Sequence, residues 1–104
     1  MKLFLDDERT SPEGWIRAYW PEEVIELLKT GKITELSLDH DLGDDARGTG
    51  YTVLEWLEEQ VVMHGMSPPI LHVHSANPPA KIKMEAAITA IYRQVEAIHF
   101  SRRN

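Results

Sequence analysis

A chain of 104 residues with 42% hydrophobic content and three tryptophans holds material for one folded core, not for two, and is too apolar for a disordered segment. It has no cysteine, which removes disulfide frameworks and thiolate metal sites, and no apolar run reaches membrane-spanning length. The formal net charge of -6 opposes non-specific DNA binding, which needs a basic surface to displace counterions.

The N-terminus carries neither a basic region nor a cleavage site, so a cytoplasmic setting is expected. Lys2 to Leu5 is a short apolar run that stops at Asp6-Asp7-Glu8-Arg9, as a buried strand does when it ends at a polar mouth. Turn residues follow at 10–14, then a short second strand from Trp15 to Tyr19. Pro21 suits a first helical position, and Glu22 and Glu23 suit the first turn, where the helix dipole favours acids. Val24, Leu27 and Leu28 make its apolar stripe, and Gly31 ends it.

Residues 33–38 form the central strand. The loop from Asp41 to Gly50 carries three glycines and four charged side chains and is expected to be exposed and mobile. Thr49 caps a helix in which Val53, Leu54, Leu57 and Val61 recur at helical spacing, and Gly65 with Pro68-Pro69 stops it. Residues 70–74 are a further strand. A last helix runs from about Pro79 to Val95, with Met84, Ile88, Ile91 and Val95 on one side, and residues 99–104 form a short basic tail.

Strands alternating with helices imply a mainly parallel sheet of about four strands. Only eight residues separate Asp6 from Trp15, fewer than a parallel crossover usually needs. The first helix of a doubly wound fold is therefore missing. One sheet face then lacks cover, and the last helix is expected to cross to that face, opposite the two earlier helices. The expected architecture is a reduced, flavodoxin-like three-layer α/β fold spanning residues 1–104 as a single domain, ordered over about 1–95.

Three polar clusters end three strands: Asp6-Asp7, Asp39-His40-Asp41 and His74-Ser75-Ala76-Asn77. In a parallel sheet all three meet at one edge, where ligands of open α/β folds bind. Buried acids are rarely left unpaired, and clustered carboxylates suit a hard divalent cation. Asp6 and Asp7 point to opposite faces if the strand stays regular, so at least one is expected to bind metal. Asp39 closes an apolar run and is expected to be semi-buried and functional. Asp41 divides evenly between a site role and a turn, and Asp44 and Asp45 read as solvated loop charges. His72 and His74 share a strand face, and histidine is the natural acid-base near neutral pH. His40 between two carboxylates is a catalytic residue or one that orients Asp39. Arg9 is a phosphate clamp or a surface ion-pair partner, and Thr49-Gly50 at a helix start offers amides to an anion or simply caps.

The arrangement resembles the receiver domain of two-component signalling, with Asp6 and Asp7 matching its acidic pair, Asp39 its phosphoryl-accepting aspartate, and Ser75-Ala76 its hydroxyl-alanine pair. The fifth strand and its lysine have no counterpart: Lys81 and Lys83 fall in the last helix. The closer resemblance is to the compact cyclic-phosphate processing receiver family, carried by KLFLDDER, Gly14-Trp15, SLDHDLG, GTGY at 48–51, HVHSANP at 72–78 and Met84. What it implies is a metal-dependent hydrolase acting on cyclic phosphates, either 2',3'-cyclic phosphate RNA ends or cyclic nucleotides. Mg²⁺ or another divalent cation would sit on Asp6, Asp7, Asp39 and Asp41. Asp39, His74, Ser75 and His40 would be catalytic, and Asn77, Arg9, Thr49 and His72 would bind substrate. The alternative is a non-catalytic receiver-like module that binds a phosphorylated ligand or a protein partner.

Overall fold

A computed structural model describes residues 1–103, with side chains described through Ser101. Four parallel strands, β1 (Lys2–Leu5), β2 (Trp15–Ala18), β3 (Glu35–Leu38) and β4 (Ile70–Val73), lie in the order β2-β1-β3-β4. Leu3 stands opposite both Ile16 and Leu36, and Leu36 opposite Leu71, so one register runs across the sheet. Between β1 and β2 the chain turns back without a helix: the N–H of Trp15 bonds the Pro12 carbonyl, and the N–H of Asp6 bonds the Ala18 carbonyl. That compact return seats β2 beside β1 at the edge.

Helix α1 spans Pro21–Leu28, with proline at its start and the Glu23 carboxylate accepting from the N–H groups of Tyr19 and Trp20. Helix α2 spans Gly50–His64, capped by the Thr49 hydroxyl and ended by Gly65 at φ 66°, a conformation that favours glycine. Helix α3 spans Pro78–Arg103. The basic tail expected after residue 98 is thus helix through Arg103, because no breaker follows Val95 and Ile98 still packs on the core. Asn104 lies outside the described residues.

Strand alternation divides the sheet into two unlike faces. Leu3, Leu5, Leu36 and Leu38 are fully buried with Val24 of α1, Leu54, Leu57 and Val61 of α2, and Met84 and Ile91 of α3. All three helices therefore cover one face, and α3 lies beside α2 instead of crossing the sheet. The expected crossing is corrected, and the receiver-like α/β fold has two layers here in place of three. The reason is on the opposite face, whose residues need no helix. There Phe4 stacks on His74 with centroids 4.1 Å apart and meets Trp15 edge-on, Lys2 approaches Glu35, and Glu35 bonds His72 at 2.7 Å. Phe4 is only 8% exposed beneath this layer. A face meant for a helix would be apolar throughout; this one alternates with polar side chains, as one-sided sheets do.

Candidate functional site

The ends of β1, β3 and β4 carry the groups that matter, and backbone bonds extend the ladder to hold them: Asp39 N–H to Leu5 O and His74 N–H to Leu38 O, both 3.0 Å. A cleft of about 310 Å³ opens over these ends, lined among others by Asp6, Asp7, Arg9, Asp39, Asp41 and Gly43.

Asp6 forms the floor and is fully buried. Its Oδ1 accepts from the N–H groups of Glu8 and Arg9, each at 2.8 Å, and its Oδ2 lies 3.1 Å from His74 Nε2. Burial opposes its ionisation, but the two amides and then His74 outweigh that, and the carboxyl sits below the usual carboxylate range. Asp39 goes the other way. Burial pushes its pKa up against the N–H bond from His40 and the attraction of Arg9, and the neighbouring Asp6 and Asp41 charges add to the rise. The candidate donor atoms of Asp6, Asp39 and His74 all lie within 4.8 Å of one another.

His74 is half-buried, and burial lowers its pKa despite the attraction of Asp6. It does not line the cleft; it lies beneath Asp6, with Ser37 Oγ 2.7 Å from its other ring nitrogen. Arg9 Nη1 bonds the His74 carbonyl at 2.9 Å, which holds the guanidinium at the rim.

The remaining predicted residues divide. Asp7 and Asp41 face the cleft, Asp7 near Gly43, and Asp41 through a 2.8 Å bond to His40 Nδ1 and a 3.5 Å contact from the Asn77 amide. Ser75 Oγ accepts from Asn77 N–H and Asn77 Oδ1 accepts from Ala80 N–H, so both help start α3. The Thr49 hydroxyl accepts from Tyr51 N–H, and the Gly50 N–H bonds the His40 carbonyl, so this helix start spends its donors on the chain itself. His72 is exposed on the sheet face, paired with Glu35, away from the cleft.

Two features escaped the sequence reading. Ser37 is buried under the site, and its one signal is a hydroxyl inside the apolar run Leu36-Ser37-Leu38, in phase with Asp39. Gly50 lets α2 begin against β3: a Cβ there would sit 1.8 Å from the Asp39 carbonyl oxygen. The loop expected to be mobile is also anchored. Leu42 is buried, residues Asp45–Arg47 form a short 3₁₀ helix, and Arg47 stacks on Trp20 and pairs with Glu22 at 2.7 Å.

Compared with known protein families, the chain matches the cyclic-phosphate processing receiver domain over residues 1–90. Comparison with curated proteins and with solved structures returns no match.

Proposed function

The chain belongs to the cyclic-phosphate processing receiver domain family, and from that premise we propose that it is a metal-dependent phosphoesterase that opens a 2',3'-cyclic phosphate of an RNA end or a cyclic nucleotide. One observation carries the reading: two carboxylates from adjacent strands, Asp6 and Asp39, meet at the cleft floor, and among the described residues neither has a Lys or Arg ion partner. Like charges gathered this way are unfavourable until a cation joins them. Oxygen donors suit a hard ion such as Mg²⁺ or Mn²⁺, with Asp6 and Asp39 as direct ligands. Asp7 and Asp41 on the cleft walls would orient its water. When bound, the ion would neutralise phosphoryl oxygens and make a bound water more acidic.

The protein's own side chains supply the rest. Arg9 at the rim has the fork that matches a phosphate bidentately. Opening the ring adds one water: its oxygen bonds phosphorus and gives up one proton, a ring P–O bond breaks, and the leaving ribose oxygen takes up one proton, so the protons balance. His40, next to Asp39 in the chain and held by Asp41 through Nδ1, would deliver that proton from Nε2. His74, beneath the floor, holds Asp6 instead.

One observation favours a non-catalytic phosphate-binding module: Ser75 and Asn77 are engaged in starting α3. Purified protein incubated with Mg²⁺ or Mn²⁺ and a panel of 2',3'-cyclic nucleotides and cyclic-phosphate RNA ends decides between the two. Opening to a monoester is expected, abolished by EDTA and slowed at least about 100-fold by Asp39→Asn. An intact panel, or full turnover by that variant, would overturn the reading. Labelling of Asp39 by acetyl phosphate without turnover would transfer it to the module.

A further inference from the structure

We infer that the open face of the sheet is a track for single-stranded RNA, which seats the nucleotides preceding a 2',3'-cyclic end held in the cleft. The inference deepens the phosphoesterase reading, rests on it for what the cleft holds, and selects the RNA end over the free nucleotide.

Strand register makes the cleft the last row of that face. Lys2, Trp15 and Glu35 stand in one row across the strands, and Phe4, Arg17 and Ser37 in the next. Two residues further on, in the same phase, come Asp6, Tyr19 and Asp39. The ladder continues to them, with Asp6 N–H on the Ala18 carbonyl and Asp39 N–H on the Leu5 carbonyl. All three helices pack on the other side. A polymer whose end lies between Asp6 and Asp39 therefore runs back over the open face without meeting a helix.

That face offers what a single strand needs. Trp15 and Tyr19 lie on one side of the chain, about 13 Å apart along the strand direction, with Arg17 between them. The Arg17 guanidinium sits 4.6 Å from the Tyr19 ring, and the Lys2 ammonium 5.7 Å from the Trp15 ring. Tyr19 is 46% exposed. Each ring thus comes with a cation. Bases stack on rings while phosphates meet cations, and open sheets hold about two or three bases this way. A lone nucleotide has one base and uses one ring.

The charge distribution fits the same occupant. Helices α1 and α2 carry six glutamates and no lysine or arginine, so much of the net negative charge lies on the helix side. In the four strands the one acid is Glu35, already engaged by Lys2 and His72. Arg9 and Arg17 are each held by a backbone carbonyl, of His74 and of Asp6, and among the described residues neither has a carboxylate partner. Two guanidinium groups at the strand ends are left for phosphates.

Calorimetry in the presence of Mn²⁺ tests this with the terminal phosphate monoester that ring opening yields, which the reaction does not consume. The ligands are a nucleoside phosphate and RNAs of three and six nucleotides with the same end. The trimer is expected to bind at least about 10-fold more tightly than the mononucleotide, and the hexamer little better than the trimer. Tyr19→Ala is expected to weaken the trimer at least about 5-fold, and Tyr19→Phe, which keeps the ring, to bind it as the wild type does. Arg17→Gln should lower the salt dependence of trimer binding by about one unit of slope. Equal affinity for mononucleotide and trimer, or a Tyr19→Ala variant that binds the trimer unchanged, would overturn the proposal. So would a dimer in sedimentation that Tyr19→Ala dissociates, since a second copy would then own the face. A wild type that opens no cyclic phosphate would sink the phosphoesterase reading, while the ratio of trimer to mononucleotide affinity would still decide the face.

Discussion

On the helix side of the sheet, Leu3, Leu5, Leu36 and Leu38 meet the leucines and valines of α1 and α2 and are held by area alone. One residue along in each strand, the other side is held by directed contacts: a ring stacked on a ring, a carboxylate on an imidazole, a hydroxyl on a ring nitrogen. Packing of the first kind is indifferent to which apolar group supplies it, within the limits of volume. The second kind specifies orientation, and it continues past the strand ends into the cleft, where orientation is what a ligand needs. A single set of strands thus carries a stability face and a positioning face.

Substitutions on each side sharpen that contrast. Leu36→Ala, at a fully buried position between β1 and β4, is expected to cost about 2–5 kcal/mol in urea unfolding, since transfer and cavity losses add. Phe4→Ala removes a larger side chain yet is expected to cost only about 1.5–3 kcal/mol, because no second layer closes over the gap. A Phe4 variant costing more than the Leu36 variant would show that the two faces share one core after all.

Asp39→Asn tests the carboxylate pair by its pH dependence. The folded-state pKa of Asp39 is raised, so the folded protein holds the proton more tightly, and stability falls as pH rises from the unfolded value through the folded one. The metal-free variant, which keeps an acceptor for the His40 N–H, is expected to melt above the wild type at pH 7, with the gap closing toward acid. Adding Mn²⁺ should stabilise the wild type and not the variant. His74 has the opposite sign: its lowered pKa makes folding lose stability as pH falls below the ordinary histidine value. Smallest is His72→Ala, which breaks an exposed pair with Glu35. It is expected to cost at most about 1 kcal/mol, to depend on salt, and to leave Mn²⁺ affinity unchanged.

Much of this was legible because strand ends and periodicity are local signals. Lys2–Leu5 stopping at two acids, Thr49 before an apolar stripe, and Gly65 after it each settle their own element. The placement of α3 was not local. A bare sheet face needs a helix only if it is apolar, and Lys2, Glu35 and His72 make this one polar. Ser37 was overlooked for a related reason, since a lone hydroxyl in a leucine run reads as packing until its partner, 37 residues away, is brought to it. Asp6 and Asp39 were found because carboxylates at strand ends declare themselves, whereas the uses of Ser75 and Thr49 depended on which amides stood beside them.

No described residue belongs to a helix long and apolar enough to cross a membrane. The contact between Gly50 and the Asp39 carbonyl has a mechanical meaning. With no side chain between them, the first turn of α2 sits directly on the tip of β3, and the Gly50 N–H bonds the His40 carbonyl there. Any side chain at position 50 would have to push the start of α2 away from the strand end that carries Asp39.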